Sequence, residues 1–140
     1  MAPNLCIVVF RGDPVDLQST RHTALFVNEG SQLYGDLVHV TGSSGFYEFE
    51  RKSEINPLTS RSFLNKIPVT PIANSPTKEQ LLEEIKKTRI NNSTHAWNCQ
   101  NWVGDALNRV AAKGWISSQS KSSAIDAMVD VIIDAEDEQK

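Results

Sequence analysis

A chain of 140 residues, 39% hydrophobic and 22% charged, has the size and composition of one globular domain. Its formal net charge of −3 argues against the basic face that nucleic acid or an acidic lipid surface requires. Its two cysteines, Cys6 and Cys99, are too few for a disulfide-stapled secreted scaffold. Met1 to Phe10 holds no charged residue ahead of its short apolar run, and no stretch reaches the ~20 apolar residues that cross a bilayer. The expected setting is therefore the reducing cytoplasm, without a membrane anchor.

Leu5 to Phe10 is a continuous apolar run rich in β-branched residues and reads as a buried strand ending at the turn signal Gly12-Asp13-Pro14. His22 to Val27 is a second strand, closed by Asn28-Glu29-Gly30-Ser31. A third is expected over Gln32 to Thr41, with Leu37-Val38-His39-Val40 at its centre. After the turn Gly42-Ser43-Ser44-Gly45, Phe46 to Arg51 alternates with period two, as a half-buried strand should. The spacing predicts an antiparallel meander. Ile67-Pro68-Val69, inside a Pro-, Ser- and Asn-rich stretch from Ser53 to Ser75, suits a short edge strand.

Thr77-Lys78-Glu79-Gln80 fits a capping box and opens a helix whose apolar side is Leu81, Leu82, Ile85 and Ile90. The charged residues of Lys78 to Arg89 read as its solvated face. A second helix is expected from Asn98 to Lys113, stopped by Gly114, with Cys99, Trp102, Ala106 and Val110 near one face. A third, Ser122 to Asp134, places Ile125, Met128, Val129, Ile132 and Ile133 at helical spacing. Residues 1–135 then form one domain, and 136–140 form an acidic, frayed tail.

Cys99 begins the second helix. The unpaired N–H groups of a helix start favour negative charge and bias a thiol toward thiolate. His22, at the mouth of an apolar strand, can take its proton, and His39 on the next strand can hold His22 in one tautomer. His39 faces opposite to Val38 and Val40, so a satisfied core histidine is the competing reading. Asn98 is foremost an N-cap type. Asn98, Gln100 and Trp97, all beside the cysteine, are the candidates for substrate contact. The backbone N–H of Cys99 is a candidate oxyanion donor. His95, in a polar loop before the helix, is a rival base, and Cys6 reads as structural. The histidines and cysteines lack paired ligand spacing, so no metal or other cofactor is expected.

Taken in order, His22-Thr23-Ala24-Leu25-Phe26-Val27, Leu37-Val38-His39-Val40 and Asn98-Cys99-Gln100-Asn101-Trp102-Val103 resemble a known arrangement. They are similar to the His-x-Gly-Ile-Tyr strand, the apolar-apolar-His-apolar strand and the Asn-Cys-x-His-Phe helix start of circularly permuted papain-like proteins. That group includes the NlpC/P60 superfamily, the lecithin:retinol acyltransferase-like (LRAT-like) proteins and the PPPDE peptidases. Asn101 stands where that group often has histidine. The resemblance implies an α+β fold of permuted papain-like (NlpC/P60-type) kind, with an antiparallel β-sheet packed by about three helices. It implies a thiol-dependent hydrolase or acyltransferase acting on an amide or (thio)ester of a small-molecule, peptide or acyl substrate. Cys99 would be the nucleophile, His22 the base and His39 its orienting partner. The alternatives are a PPPDE-like cysteine (iso)peptidase and a non-catalytic binding module that keeps the cleft.

Overall fold

In the computed structural model, which describes residues 3–12 and 16–135, the chain is an α+β domain. Five antiparallel strands form one sheet in the order β4-β3-β2-β1-β5. They are β1 (Pro3–Phe10), β2 (His22–Glu29), β3 (Gly35–Thr41), β4 (Glu48–Ile55) and β5 (Phe63–Pro68). Three helices follow, α1 (Lys78–Lys86), α2 (Cys99–Ala112) and α3 (Ser118–Ile133). The first four strands make the expected meander, and β5 returns to pair with β1. The tail 136–140 and the Asp13-Pro14 part of the first turn signal lie outside the described residues.

The central strands are apolar without interruption because both faces are covered. On one face Leu5, Ile7, Val9, Leu25, Val27, Val38 and Val40 meet the helices through Leu81, Ile85, Trp102, Val103, Leu107 and Met128. On the other, Val8, Phe10, Ala24, Phe26 and Leu37 form a smaller cluster flanked by Ile55 and Phe63. Buried Asp36 pins α1 and β4 onto β3, bonding Lys78 at 2.9 Å and Arg51 at 2.6 Å. The edge strand β4 carries exposed charged side chains, which discourage pairing with another chain.

Several boundaries move for local reasons. β3 begins at Gly35, not Gln32, because Gln32 N–H closes a turn onto Glu29 O at 3.1 Å. A Cβ at Gly35 would collide with Val27 O and Asn28 Cβ, so glycine permits this close crossing. β4 begins at Glu48 because Phe46 N–H closes a turn onto Ser43 O and Tyr47 is held by the Asn92 side chain. β5 is longer than expected, and Val69 lies just beyond it, donating to Leu5 O at 2.8 Å.

α1 has the predicted capping box, but it ends at Lys86, so Ile90 packs from the loop beyond. Glu84 departs from the solvated face. It is buried, with an Oε2 to Arg109 Nη2 distance of 2.7 Å that ties α1 to α2. α3 starts four residues earlier than expected because Ser117 caps it, accepting from Ser120 N–H at 3.0 Å. Its buried residues are Ala124, Met128 and Ile132, one per turn, while Val129 and Ile133 face solvent. The narrow stripe reflects α3 lying along the sheet edge, over β1 and β5.

Candidate active site

The start of α2 is rigidly built. Asn98 Oδ1 accepts from Gln100 N–H at 3.0 Å and from Asn101 N–H at 3.4 Å, and Asn101 Oδ1 accepts from Asn98 N–H at 3.0 Å. Asn101 thus completes a reciprocal capping box. Cys99 is the first helical residue and is 9% exposed. The cap engages the N–H groups of Gln100 and Asn101, while the N–H groups of Cys99 and Gln100 also face the sulfur.

Opposite, β2 pairs with β3 only from Leu25↔Val38 to Asn28↔Gly35. His22, Thr23 and Ala24 lie beyond that ladder, as do His39, Val40 and Thr41. A pocket of about 450 Å³ lies there, lined by His22, His39, Thr41, Tyr47, Asn98 and Cys99 among others. Two other hollows have comparable size, about 410 Å³ beside Cys6 and Lys66 and about 530 Å³ beside Pro71 and α3. Neither brings a histidine to a cysteine, so chemistry rather than volume selects the site.

His22 Nε2 lies 2.6 Å from His39 Nδ1, with the rings edge-to-face at 4.8 Å. His39 Nε2 lies 2.7 Å from Glu50 Oε1, its directly opposed residue across the β3–β4 ladder. Phe10 stacks on the His22 ring at 6.0 Å. Burial, then the charges of His39 and Lys52, push His22 down to about 4, with Glu50 opposing. Burial also lowers His39 against the pull of Glu50, and the His39 bond lowers Glu50. At neutral pH the site therefore holds two neutral imidazoles and one carboxylate.

The thiol departs from its expected acidity. Burial pushes Cys99 up from its ordinary value, opposed by the backbone and hydroxyl of Thr23 and by the N–H groups of Cys99 and Gln100. Thr23 is fully buried, and its hydroxyl has no hydrogen-bond partner of ordinary geometry. A thiolate on Cys99 would supply one. The sign of the shift gives a direct expectation: in the resting protein thiolate is scarce at pH 7, so alkylation of Cys99 by iodoacetamide should be slow there. It should keep accelerating as pH rises past the usual thiol range near 9. Rates measured from pH 5 to 10, with labelling read by peptide mass spectrometry, check it. A plateau already reached by pH 7 would contradict the burial argument.

Of the other sequence candidates, Asn98 lines the pocket, whereas Gln100 and Trp97 do not. Gln100 Nε2 instead donates to Gln18 O at 3.2 Å and Arg21 O at 3.4 Å, fastening the segment that leads into His22. Trp97 meets Tyr47 edge-on at 5.8 Å, and it is Tyr47 that reaches the pocket. His95 bonds Ser44 Oγ at 2.9 Å, and Cys6 is buried in β1. Sequence reasoning missed Glu50, Thr23 and Tyr47. The period-two pattern of β4 does put Glu50 on a polar face, but its pairing with His39 depends on the register set by the Gly42–Tyr47 turn.

Among the described residues, no group of three or more His, Cys, Asp or Glu side chains is placed to hold a metal ion, and no helix is long and apolar enough to cross a membrane. No curated protein and no solved structure matches the chain significantly. A family model, described as a family of unknown function (DUF6540), matches residues 9–117. That span carries the residues His22, His39 and Cys99 that line one pocket and Glu50 that bonds His39, and the chain belongs to this family.

Proposed function

We propose that the protein is a cysteine-dependent hydrolase or acyltransferase of permuted papain-like, NlpC/P60 type, acting in the cytoplasm on an amide or (thio)ester of a small-molecule, peptide or acyl substrate. The observation that carries this reading is that Cys99, at the first position of α2, and the hydrogen-bonded His22–His39 pair line the same pocket. The chemistry follows from the groups available. His22 Nε2 is committed to His39, so Nδ1 is the nitrogen left to accept a proton. It takes the Cys99 proton as the sulfur attacks the carbonyl carbon. The oxyanion is met by the Cys99 N–H at the helix start. Collapse breaks the bond to the leaving amine, alcohol or thiol, which receives the proton from His22, and a thioester remains on Cys99. Water or another acceptor then gives its proton to His22 and attacks the thioester; the C–S bond breaks, the acyl group leaves on the acceptor, and His22 returns the proton to the Cys99 sulfur.

A resting thiol that is protonated and 9% exposed also suits a binding module that keeps the cleft without turnover. One experiment separates the two. Incubation with a p-nitrophenyl ester should add one acyl group to Cys99, seen by intact-mass and peptide mass spectrometry, and none to a Cys99→Ala protein. Failure of the wild-type protein to acylate over a range of acyl lengths and pH would favour the binding module. A PPPDE-like peptidase would instead acylate with activated peptide C-terminal esters in preference to simple acyl esters.

A further inference from the structure

We infer that Glu50 is a positioning residue that, through His39, fixes the tautomer of His22 and so decides which of its nitrogens is basic. The inference rests on the thiol-chemistry reading for its consequence, but its geometry stands alone. An ionised carboxylate only accepts hydrogen bonds. The 2.7 Å contact between Glu50 Oε1 and His39 Nε2 therefore places a proton on that nitrogen. A neutral His39 then has a bare Nδ1, which can only accept. Its 2.6 Å contact with His22 Nε2 places the proton of His22 there. A neutral His22 is left with its lone pair on Nδ1, the nitrogen the proposed mechanism requires. Each assignment follows from the previous one, and the chain begins at Glu50.

Without the carboxylate, His39 Nε2 would meet water, which donates as readily as it accepts. Both tautomers of the pair would then be populated. Glu50 suits this task because it sits on edge strand β4, directly across from His39, with its side chain 45% exposed. Its replacement therefore opens no core cavity.

The test is nitrogen-15 NMR of the imidazoles at neutral pH, assigned with His22→Gln and His39→Gln proteins. In the wild type, His22 should carry its proton on Nε2 and show an unprotonated Nδ1. Glu50→Gln retains an accepting oxygen and should keep that pattern, whereas Glu50→Ala should give averaged shifts for both rings. In parallel, the p-nitrophenyl ester acylation rate should fall roughly tenfold to a hundredfold in Glu50→Ala and recover largely in Glu50→Gln, the range seen when a carboxylate that orients a metal-ligating histidine is removed. A wild-type His22 protonated on Nδ1, or Glu50→Ala spectra identical to wild type, would overturn the inference. So would an unchanged acylation rate in a Glu50→Ala protein whose tautomers have shifted. If the wild-type tautomers are as stated and no variant acylates, the thiol-enzyme reading fails and the relay from Glu50 stands.

Discussion

Cys99→Ala is expected to abolish turnover, by ~10³-fold or more on any substrate that acylates the wild-type protein, because the other thiol, Cys6, lies in β1 and does not line the pocket. Cys99 packs in the main core cluster, but alanine keeps the α2 start, whose capping is done by Asn98 and Asn101. The stability loss should be only about 1 kcal/mol. Activity and thermal melting measured on the same preparations separate the two effects, and full activity in Cys99→Ala would sink the mechanism. The same assay should rank the histidines. His22→Gln removes the base, while His39→Gln keeps a hydrogen-bonding group beside it and should lose less. The reverse order would mean that base and orienting partner are exchanged.

Trp102→Ala should produce the largest loss of stability, ~3–5 kcal/mol. Trp102 is fully buried one turn after Cys99, against Phe49 at 6.1 Å between ring centres, and it joins α2 to the sheet. Its indole N–H has no hydrogen-bond partner, so Trp102→Phe removes a buried unpaired donor along with its volume and should cost much less. Urea unfolding of the three proteins reads the difference directly. A loss below 1 kcal/mol for Trp102→Ala would show that the α2–sheet contact tolerates a void. Because Cys99 rides on the same helix face, the alanine protein should lose activity before it unfolds.

The elements legible in the sequence were those whose signals are local. The apolar runs of β1 to β3, the capping box at Thr77, the N-cap at Asn98 and the stop at Gly114 report their own neighbourhoods. Those that moved depend on distant partners. Asn92 holds Tyr47 out of β4, Arg109 draws Glu84 into the interior, and the placement of α3 along the sheet edge decides that Ala124 is buried and Val129 is not. The candidate site divides in the same way. The order His22, His39, Cys99 could be read from motif and period. The acidity of the thiol could not, because it turns on how deeply the helix start sinks behind Thr23, and no local pattern encodes depth. Nor could Glu50, whose role depends on facing His39 across a turn.

The segment that delivers His22 into the pocket is fastened from two directions. Gln100, next to Cys99, holds the carbonyls of Gln18 and Arg21, while Gln18 Nε2 reaches Ala135 O at 3.2 Å and Arg21 also donates to Val131 O. The last turn of α3 and the residues just after it thus brace the segment that carries His22, although they lie beyond the residues matched by the family model. Tags, fusions or trimmed ends at this terminus are therefore not neutral choices for anyone preparing the protein. A helix end that frays locally, at a small fraction of the global unfolding free energy, releases the histidine's anchorage while the core stays folded. The geometry of the His22 pocket and the foldedness of the chain can then part company at a place far from that pocket.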